Sequence, residues 1–277
     1  MSVIKVDGLT RDYGGQKGVF DVSFHVDQGE AFGFLGPNGA GKTTTIRHLM
    51  GFLKPKAGSC TIDVLDCWHK REQVQARLGY IPGEISFFED MSGTEFLKFI
   101  AEYRRIGSLN RRDELLERFA LDPKGRIKKM SKGMKQKLGI VAAFMHDPDI
   151  LILDEPTSGL DPLMQSRFID LIAEEKKHGK TILMSSHMFE EVERTCDRIG
   201  IIRNGRMVAV DATAALRERH TRRYTVTLGN EAEARAFALD FNGVCNGLEV
   251  TVTTKQSLEE IFMNYYGGEN HAEHGTV

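Results

Sequence analysis

Two uninterrupted apolar runs stand out in the hydrophobic pattern of this chain. Ile150–Leu153 and Thr181–Ser185 show little alternation with polar residues, which is typical of strands buried on both faces of a parallel sheet. Apolar positions at helical spacing predict helices from Ser131 to about Phe144 and from about Pro162 to Lys177. Strands that alternate with helices predict an α/β fold, with the functional site at the carboxyl ends of the strands.

Residues 1–212 are predicted to form one domain. Within them, residues 2–35 predict short strands joined by turns, which indicates an antiparallel β subdomain beside a mixed sheet core. Ser92 and Glu95 have the spacing of a capping box and open a run of helical pattern. We therefore predict a helical subdomain at about 84–147.

Residues 213–277 are predicted to form a small α+β extension. Tyr224–Leu228 and Leu248–Thr253 are strand-like and are separated by a helical stretch. Ser257 and Glu260 have the spacing of a second capping box, which predicts a last helix. The polar end of the chain is predicted to be frayed.

Charge and composition narrow the kinds of partner that we expect. Thirty-seven basic and thirty-nine acidic side chains give a formal charge of −2, so no nucleic-acid partner is expected. The chain has no apolar run of membrane-spanning length and no signal-peptide pattern, which favours a cytoplasmic protein that reaches a membrane only through a partner. The four cysteines lack metal-ligand spacing, so we expect small buried side chains rather than a zinc site or disulfides.

A glycine-rich loop follows a strand-like run and precedes a helical one. Its Gly-x-x-x-x-Gly-Lys-Thr pattern predicts a turn whose backbone N–H groups converge on a phosphate, assisted by the helix dipole. Lys42 is expected to reach the β- and γ-phosphates, and the hydroxyl of Thr43 to ligate Mg²⁺. The residues predicted to bind ATP in this loop are Gly36, Pro37, Asn38, Gly39, Ala40, Gly41, Lys42, Thr43 and Thr44.

Polar side chains follow both buried strands. Asp154 and Glu155 come directly after the first run, a Walker B pattern in which Asp154 would hold Mg²⁺ and Glu155 would accept a proton from the attacking water. The structural alternative for Asp154 is a helix N-cap, which is disfavoured because the chain continues as a loop. His187 follows the second run and is expected to contact the γ-phosphate, with a purely structural role as its alternative.

The segment that begins at Met130 resembles the signature motif of ATP-binding cassette (ABC) ATPases, Leu-Ser-Gly-Gly-Gln. Ser131 and Gly133 match the motif, whereas Lys132 and Met134 replace a Gly and the Gln. In that family the helix starting here grips the γ-phosphate of the nucleotide held by the opposite subunit, a use of free amides and helix dipole that is physically favourable. The resemblance therefore implies that these residues serve the ATP of a second chain.

Further segments fit the same family in the same order. Asp154 to Asp161 resembles the Walker B motif running into the D-loop, which implies that Asp161 lies at a dimer interface. Tyr13 stands where the family carries an aromatic residue that stacks on adenine, with strand packing as the alternative. Gly83 stands where the family usually carries a Gln that helps to hold Mg²⁺ and the attacking water. The following Glu84 is a carboxylate that could coordinate Mg²⁺ instead, at the cost of negative charge beside phosphates.

The resemblance implies an ATP-binding and ATP-hydrolysing subunit of an ABC exporter of the drug or antibiotic type. Its cofactors would be ATP and Mg²⁺, and its partners a second copy or a homologous ATPase subunit, together with an integral membrane subunit. It would act on the cytoplasmic face of the membrane through that partner. The alternatives are a soluble ABC ATPase acting on ribosomes or DNA, a weakly hydrolysing nucleotide-regulated binding module, and a P-loop kinase. The kinase is disfavoured because the signature segment would have no role.

Five aromatic residues follow Gly83 closely. In ABC transporters this region forms the groove that receives a short cytoplasmic helix of the membrane subunit. The helical spacing of some of these rings favours the alternative, a core of the helical subdomain. The residues concerned are Phe87, Phe88, Phe96, Phe99 and Tyr103.

Overall fold

The structure, a computed structural model, describes residues 1–219, 221–255 and 260. The chain divides into two compact units, Met1–Val210 and Asp211–Val277. The strands are, in chain order, β1 (Ser2–Asp12), β2 (Gly18–Asp27), β3 (Ala31–Leu35), β4 (Ala57–Ile62), β5 (Leu65–Asp66), β6 (Leu78–Ile81), β7 (Ile150–Asp154), β8 (Thr181–Ser186), β9 (Arg198–Arg203), β10 (Arg206–Ala212), β11 (Thr221–Thr227), β12 (Val244–Asn246) and β13 (Glu249–Lys255).

The two helices predicted from the hydrophobic periodicity are present in the structure. Ser131 caps the helix that ends at Phe144, and the helix Pro162–Lys177 has the predicted bounds. In chain order the α-helices are α1 (Lys42–Leu49), α2 (Arg71–Ala76), α3 (Gly93–Tyr103), α4 (Asn110–Arg118), α5 (Lys132–Phe144), α6 (Pro162–Lys177), α7 (Phe189–Thr195), α8 (Thr213–Arg219) and α9 (Glu231–Asp240).

A six-stranded sheet in the order β10-β9-β3-β8-β7-β6 forms the centre of the first unit. The five strands β9, β3, β8, β7 and β6 are parallel to one another, and every residue of β3, β7 and β8 is buried. The two apolar runs are therefore central strands, as predicted, and their carboxyl ends meet at one edge. In this register Asp154 lies opposite Ser185.

An antiparallel sheet in the order β2-β1-β4-β5 lies beside the central sheet. Inward-facing residues of β2 alternate with exposed ones, and Phe24 stacks on Phe32 of β3 at a ring-centroid distance of 5.1 Å. This packing joins the two sheets in one hydrophobic core. The predicted α/β fold, with a mixed sheet core and an antiparallel β subdomain, is thus the observed one.

Helices α3, α4 and α5 occupy the predicted helical region. Ser92 and Glu95 form the predicted capping box, because the Ser92 side chain accepts from the Glu95 N–H and the Glu95 carboxylate accepts from the Ser92 N–H. Charged pairs connect α4 to α6, including Arg118 with Glu174. These contacts hold α4 against α6.

The second unit contains a three-stranded antiparallel sheet, β11-β13-β12, packed on α9. Ala234, Val250 and Val252 form its small core. Cys245 lies on the short edge strand β12 and is exposed, so the expectation of burial was wrong for this cysteine. The predicted helix start at Ser257 and the polar tail lie outside the described residues.

None of the helices in the described part of the chain combines the length and the apolar character needed to cross a membrane.

Candidate functional site

Residues 36–41 connect β3 to α1 and form the predicted glycine-rich loop. Gly41 has a φ of 113°, in the region that favours glycine, and a Cβ there would lie 2.8 Å from Cγ1 of Val19. A Cβ on Gly36 would lie 2.6 Å from the carbonyl oxygen of Ile202. Both glycines are therefore required by close packing around the loop. This packing holds the loop backbone in place, and helix α1 begins directly after the loop. Both features suit the binding of a phosphate.

Lys42 is the first residue of α1, and its side chain is only 5% exposed. Its Nζ donates to the carbonyl oxygen of Gly36 at 2.5 Å and to that of Pro37 at 3.3 Å. The same nitrogen lies 3.1 Å from Oε1 of Glu155. The ammonium group thus lies over the phosphate loop, against the carboxylate of Glu155, the residue that follows β7.

Asp154 ends β7 and is fully buried. Its Oδ1 accepts a hydrogen bond from the Ser185 hydroxyl at 2.5 Å, while Oδ2 accepts no hydrogen bond within the described part of the chain. A buried carboxylate oxygen without a donor is costly unless a cation completes it. The donor set at this position, oxygen from a carboxylate beside the phosphate loop, therefore fits Mg²⁺.

Glu155 lies where the chain turns out of the sheet, with a φ of 50°. Its N–H lies 3.2 Å from the Ser185 carbonyl oxygen and 3.1 Å from the hydroxyl oxygen of that residue. The turn directs its carboxylate toward α1, where Oε1 meets Lys42 and Oε2 meets Nδ1 of His187. His187 is 54% exposed, so the cluster opens to solvent on its side.

Gly83, and not Glu84, lies beside Asp154. A Cβ on Gly83 would lie 3.0 Å from Oδ2 of Asp154, so this glycine approaches the carboxylate oxygen that accepts no hydrogen bond from the described residues. Glu84 is exposed and lines a cleft with Lys132 and Lys135, and Gly83 lines the same cleft. The backbone at residue 83, rather than the carboxylate at residue 84, is therefore the neighbour of Asp154.

The signature-like segment begins α5 and packs against the chain that leaves β7. Ser131 is the N-cap residue, and its hydroxyl accepts from the N–H of Met134 at 3.2 Å. A Cβ on Gly133 would lie 2.8 Å from the carbonyl oxygen of Gly159. Lys132 donates from Nζ to the hydroxyl of Ser158 at 3.0 Å. The helix N-terminus is thus docked on residues 156–159 of its own chain.

Tyr13 and Asp161 both lie at the surface. Tyr13 is 53% exposed, and the guanidinium carbon of Arg11 lies 5.6 Å from its ring centroid. The turn that contains Tyr13 leads to Gly18. The next residue, Val19, packs against Gly41 of the phosphate loop. Asp161 is the N-cap of α6 and accepts from the Met164 N–H at 3.0 Å. Its carboxylate is therefore engaged within its own helix.

The aromatic group divides into a packed part and an exposed part. Phe87 and Phe96 meet edge to face at 4.9 Å, whereas Phe88, Phe99 and Tyr103 are exposed. Helical spacing predicted burial for Phe99 and Tyr103, which is wrong, because α3 turns its other face toward the core. A cleft of about 280 Å³ opens beside the packed rings; its lining includes Phe52, Tyr80, Ile85, Phe87, Phe96 and Ile100.

Two polar residues at the site make contacts that the sequence did not predict. Ser185 was assigned only to a strand, yet its hydroxyl holds Asp154 and its carbonyl oxygen lies opposite the Glu155 N–H. Gln136 is buried in α5 and donates to the Pro156 carbonyl oxygen at 2.6 Å. A polar residue at the end of a fully apolar strand was the available signal for Ser185.

A phosphate loop between β3 and α1, with acidic residues at the end of β7, defines a P-loop nucleoside triphosphatase. The family model described as "ABC transporter" matches residues 19–158. The bacitracin transport ATP-binding protein of Bacillus licheniformis is 38% identical over 238 residues, which cover 84% of this chain and 77% of that protein.

Two further comparisons agree with this match. The Nod factor export ATP-binding protein of Paraburkholderia xenovorans (strain LB400) is 39% identical over 78% of this chain and 72% of its own length. A solved structure of an ATP-binding subunit of an ABC transporter has a TM-score of 0.75 at 30% identity, and covers 96% of this chain and all of that one. This chain belongs to the ABC transporter family, as an ATP-binding subunit with ATPase activity, and the predicted resemblance is confirmed.

Proposed function

We propose that Lys42, Glu155 and His187 form the hydrolytic centre of this subunit, and that ATP binding rearranges their contacts. The observation that carries the proposal is the cluster in which one carboxylate meets both an ammonium and an imidazole. The three side chains come from α1 and from the ends of β7 and β8, so the parallel sheet itself brings them together.

Each group has a defined task in this proposal. Backbone N–H groups of residues 36–44 and Lys42 bind the phosphates, and Tyr13 stacks on adenine. Glu155 accepts the proton of the attacking water, and His187 contacts the γ-phosphate. Thr43 and Asp154 would hold Mg²⁺, which supplies neutralisation of phosphate charge when bound. Because Lys42 is needed by the phosphates, its transfer to them frees the Glu155 carboxylate to act as a base.

The signature residues serve a second chain. Two copies, or this chain and a homologous ATPase subunit, associate head to tail so that each ATP also meets the partner's α5 N-terminus. Support comes from the exposed position of Ser131 as N-cap of a 13-residue helix, whose free amides and dipole suit an anion. The motif residues at this end are Ser131, Lys132, Gly133 and Met134, with Asp161 nearby in the D-loop.

The membrane subunit docks on the aromatic cleft. A cleft of about 280 Å³ is lined by aromatic residues that include Phe52 and Phe87, and by polar residues that include Arg104. Such a mixed lining suits a short amphipathic helix. This subunit would then lie on the cytoplasmic face of the membrane, held there by its partner. Export is the direction in which the Nod factor relative is named to work, and it is the direction proposed here.

Replacing Glu155 tests the assignment of the base. In the purified protein, Glu155→Gln should bind ATP at least as tightly as wild type, because Lys42 loses the carboxylate that competes with phosphate, and should hydrolyse it about 10²- to 10⁴-fold more slowly, because a general base is lost. Glu102→Gln, an exposed glutamate on α3, is the control and should hydrolyse like wild type. Hydrolysis by Glu155→Gln at the wild-type rate would overturn the proposal.

A further inference from the structure

Glu191 is a buried carboxylate on α7 that belongs to none of the motifs described above. It is 2% exposed, although its helix is only one turn from the solvent-facing His187. Burial raises its pKa, against the lowering effect of the hydroxyl groups that donate to it. Burying a carboxylate lowers the free energy of unfolding unless hydrogen bonds compensate for the lost water. The partners of Glu191 therefore indicate what it does.

Both oxygens of Glu191 accept hydrogen bonds from hydroxyl groups. Oε1 accepts from Oγ1 of Thr157, and Oε2 accepts from Oγ of Ser186 at 2.8 Å. Thr157 lies two residues after Glu155, and Ser186 directly precedes His187. Glu191 therefore bridges the two chain segments that carry the proposed base and the γ-phosphate contact.

The bridge fixes directions as well as distances. An ionised carboxylate can only accept, so both hydroxyl groups must donate toward it. The Ser186 oxygen then accepts from the Met188 N–H at 2.8 Å, which sets the path of the chain around His187. Helix α7 is itself firmly seated, because a Cβ on Gly33 of β3 would lie 2.3 Å from Cγ1 of Val192. The carboxylate is thus presented from a rigid support.

We infer that Glu191 is a positioning residue for ATP hydrolysis, which holds Thr157 and Ser186 together and so keeps the Glu155 carboxylate against His187. The inference rests on the proposed roles of Glu155 and His187. Glu191 touches neither nucleotide-binding residues of the loop nor the reacting atoms, so it acts on the rate of hydrolysis and leaves nucleotide binding alone.

The experiment compares turnover and nucleotide affinity in a small set of variants. Glu191→Ala should lower kcat roughly 10-fold or more, since small misplacements of catalytic groups have effects of this size, with the dissociation constant for a fluorescent ATP analogue unchanged. Glu191→Gln should fall between Ala and wild type, because an amide can still accept from one hydroxyl. Glu190→Gln, the exposed neighbour on the same helix, is the matched control.

Coupling to Glu155 distinguishes positioning from a general loss of structure. Adding Glu191→Ala to Glu155→Gln should slow hydrolysis by a smaller factor than Glu191→Ala does in the wild type, because one of the two groups that Glu191 positions is already absent. Should Glu191→Ala fail to fold, Thr157→Val removes one donor at nearly constant shape and should lower kcat in the same way.

Wild-type kcat in both Glu191→Gln and Thr157→Val would overturn the inference, as would a loss of ATP affinity that accounts for the loss in rate. A loss in the Glu155→Gln background as large as the loss in the wild-type background would overturn it as well. If instead Glu155→Gln alone hydrolyses like wild type, it is the proposed hydrolytic centre that fails, so the two failures are distinguishable.

Discussion

Oε1 of Glu155 lies 3.1 Å from Nζ of Lys42, so the proposed base and the phosphate-binding lysine are paired with each other. Only 17% of the Glu155 side chain is exposed, and its second oxygen contacts His187. In this arrangement the carboxylate is neutralised by an ammonium group that the phosphates of ATP would otherwise attract. Under the proposed function, Glu155 and phosphate would compete for Lys42, and the base would stay engaged until nucleotide binds.

Removing Lys42 should weaken ATP binding. We expect Lys42→Ala to lose at least about 10-fold in ATP affinity, because a charge-assisted contact to phosphate contributes about 1.5–3 kcal/mol. Titration with a fluorescent ATP analogue measures the effect. Lys98→Ala, an exposed lysine on α3, is the control and should bind as wild type does. Equal affinity in Lys42→Ala would contradict its placement on the phosphates.

Mixing two inactive variants should restore activity if each site is shared between chains. Ser131→Asp keeps a good N-cap but sets a negative charge against the partner's phosphate, and Glu155→Gln lacks the base. A mixed dimer contains one site that carries neither substitution. Random association of equal amounts should therefore recover about a quarter of the wild-type ATPase rate. A mixture as inactive as its components argues against the composite site.

A side chain at residue 83 should disturb Asp154. The Cβ of Gly83→Ala would lie 3.0 Å from Oδ2, and Asp154 has little freedom to move because it is buried and held by Ser185. We expect the Mg²⁺ concentration needed for half-maximal hydrolysis to rise several-fold, consistent with about 1–3 kcal/mol for overpacking. Titration of ATPase activity with Mg²⁺ provides the measurement. Gly107→Ala, where a Cβ meets nothing within 4 Å, is the control.

The hydrogen bond between Lys132 and Ser158 should connect the start of α5 functionally to the D-loop. Lys132→Met keeps the aliphatic chain against Gly159 but loses the hydrogen bond to Ser158. We expect a two- to five-fold rise in the ATP concentration needed for half-maximal hydrolysis, as for a partly exposed hydrogen bond of about 0.5–1 kcal/mol. Ser158→Ala should have the same effect, and the double variant no more. Strictly additive effects would show that the two residues act independently.

His146 should make the fold less stable in mild acid. Burial, with a further contribution from the charge of Arg104, lowers its pKa to about 4. Below about pH 6.5 the imidazole of His146 binds a proton in the unfolded chain but not in the folded one. The free energy of unfolding therefore falls as the pH drops toward about 4. Urea denaturation at about pH 7.5 and about pH 5 should show a smaller decrease for His146→Gln than for wild type. A decrease of equal size would contradict the lowered pKa.

Local pattern was sufficient for most elements of the fold. The helix at Pro162–Lys177 and the capping box at Ser92 follow from short-range rules of periodicity and capping, and the structure has them where they were predicted. Burial of single side chains was harder to predict. Phe99 and Tyr103 have helical spacing but face solvent, because spacing defines a face without saying what that face meets.

The sequence by itself indicated a P-loop nucleoside triphosphatase from the glycine loop at Gly36–Gly41 and the acidic pair after β7, and the segment at Ser131 then indicated the ABC class. Each of these patterns lies within a few residues of the chain. Only the tertiary structure decided that Lys42 pairs with Glu155, that Gly83 approaches Asp154 and that Glu191 bridges two segments. These contacts join residues far apart in the chain. They depend on strand register and on side-chain orientation in a packed interior, neither of which local pattern encodes.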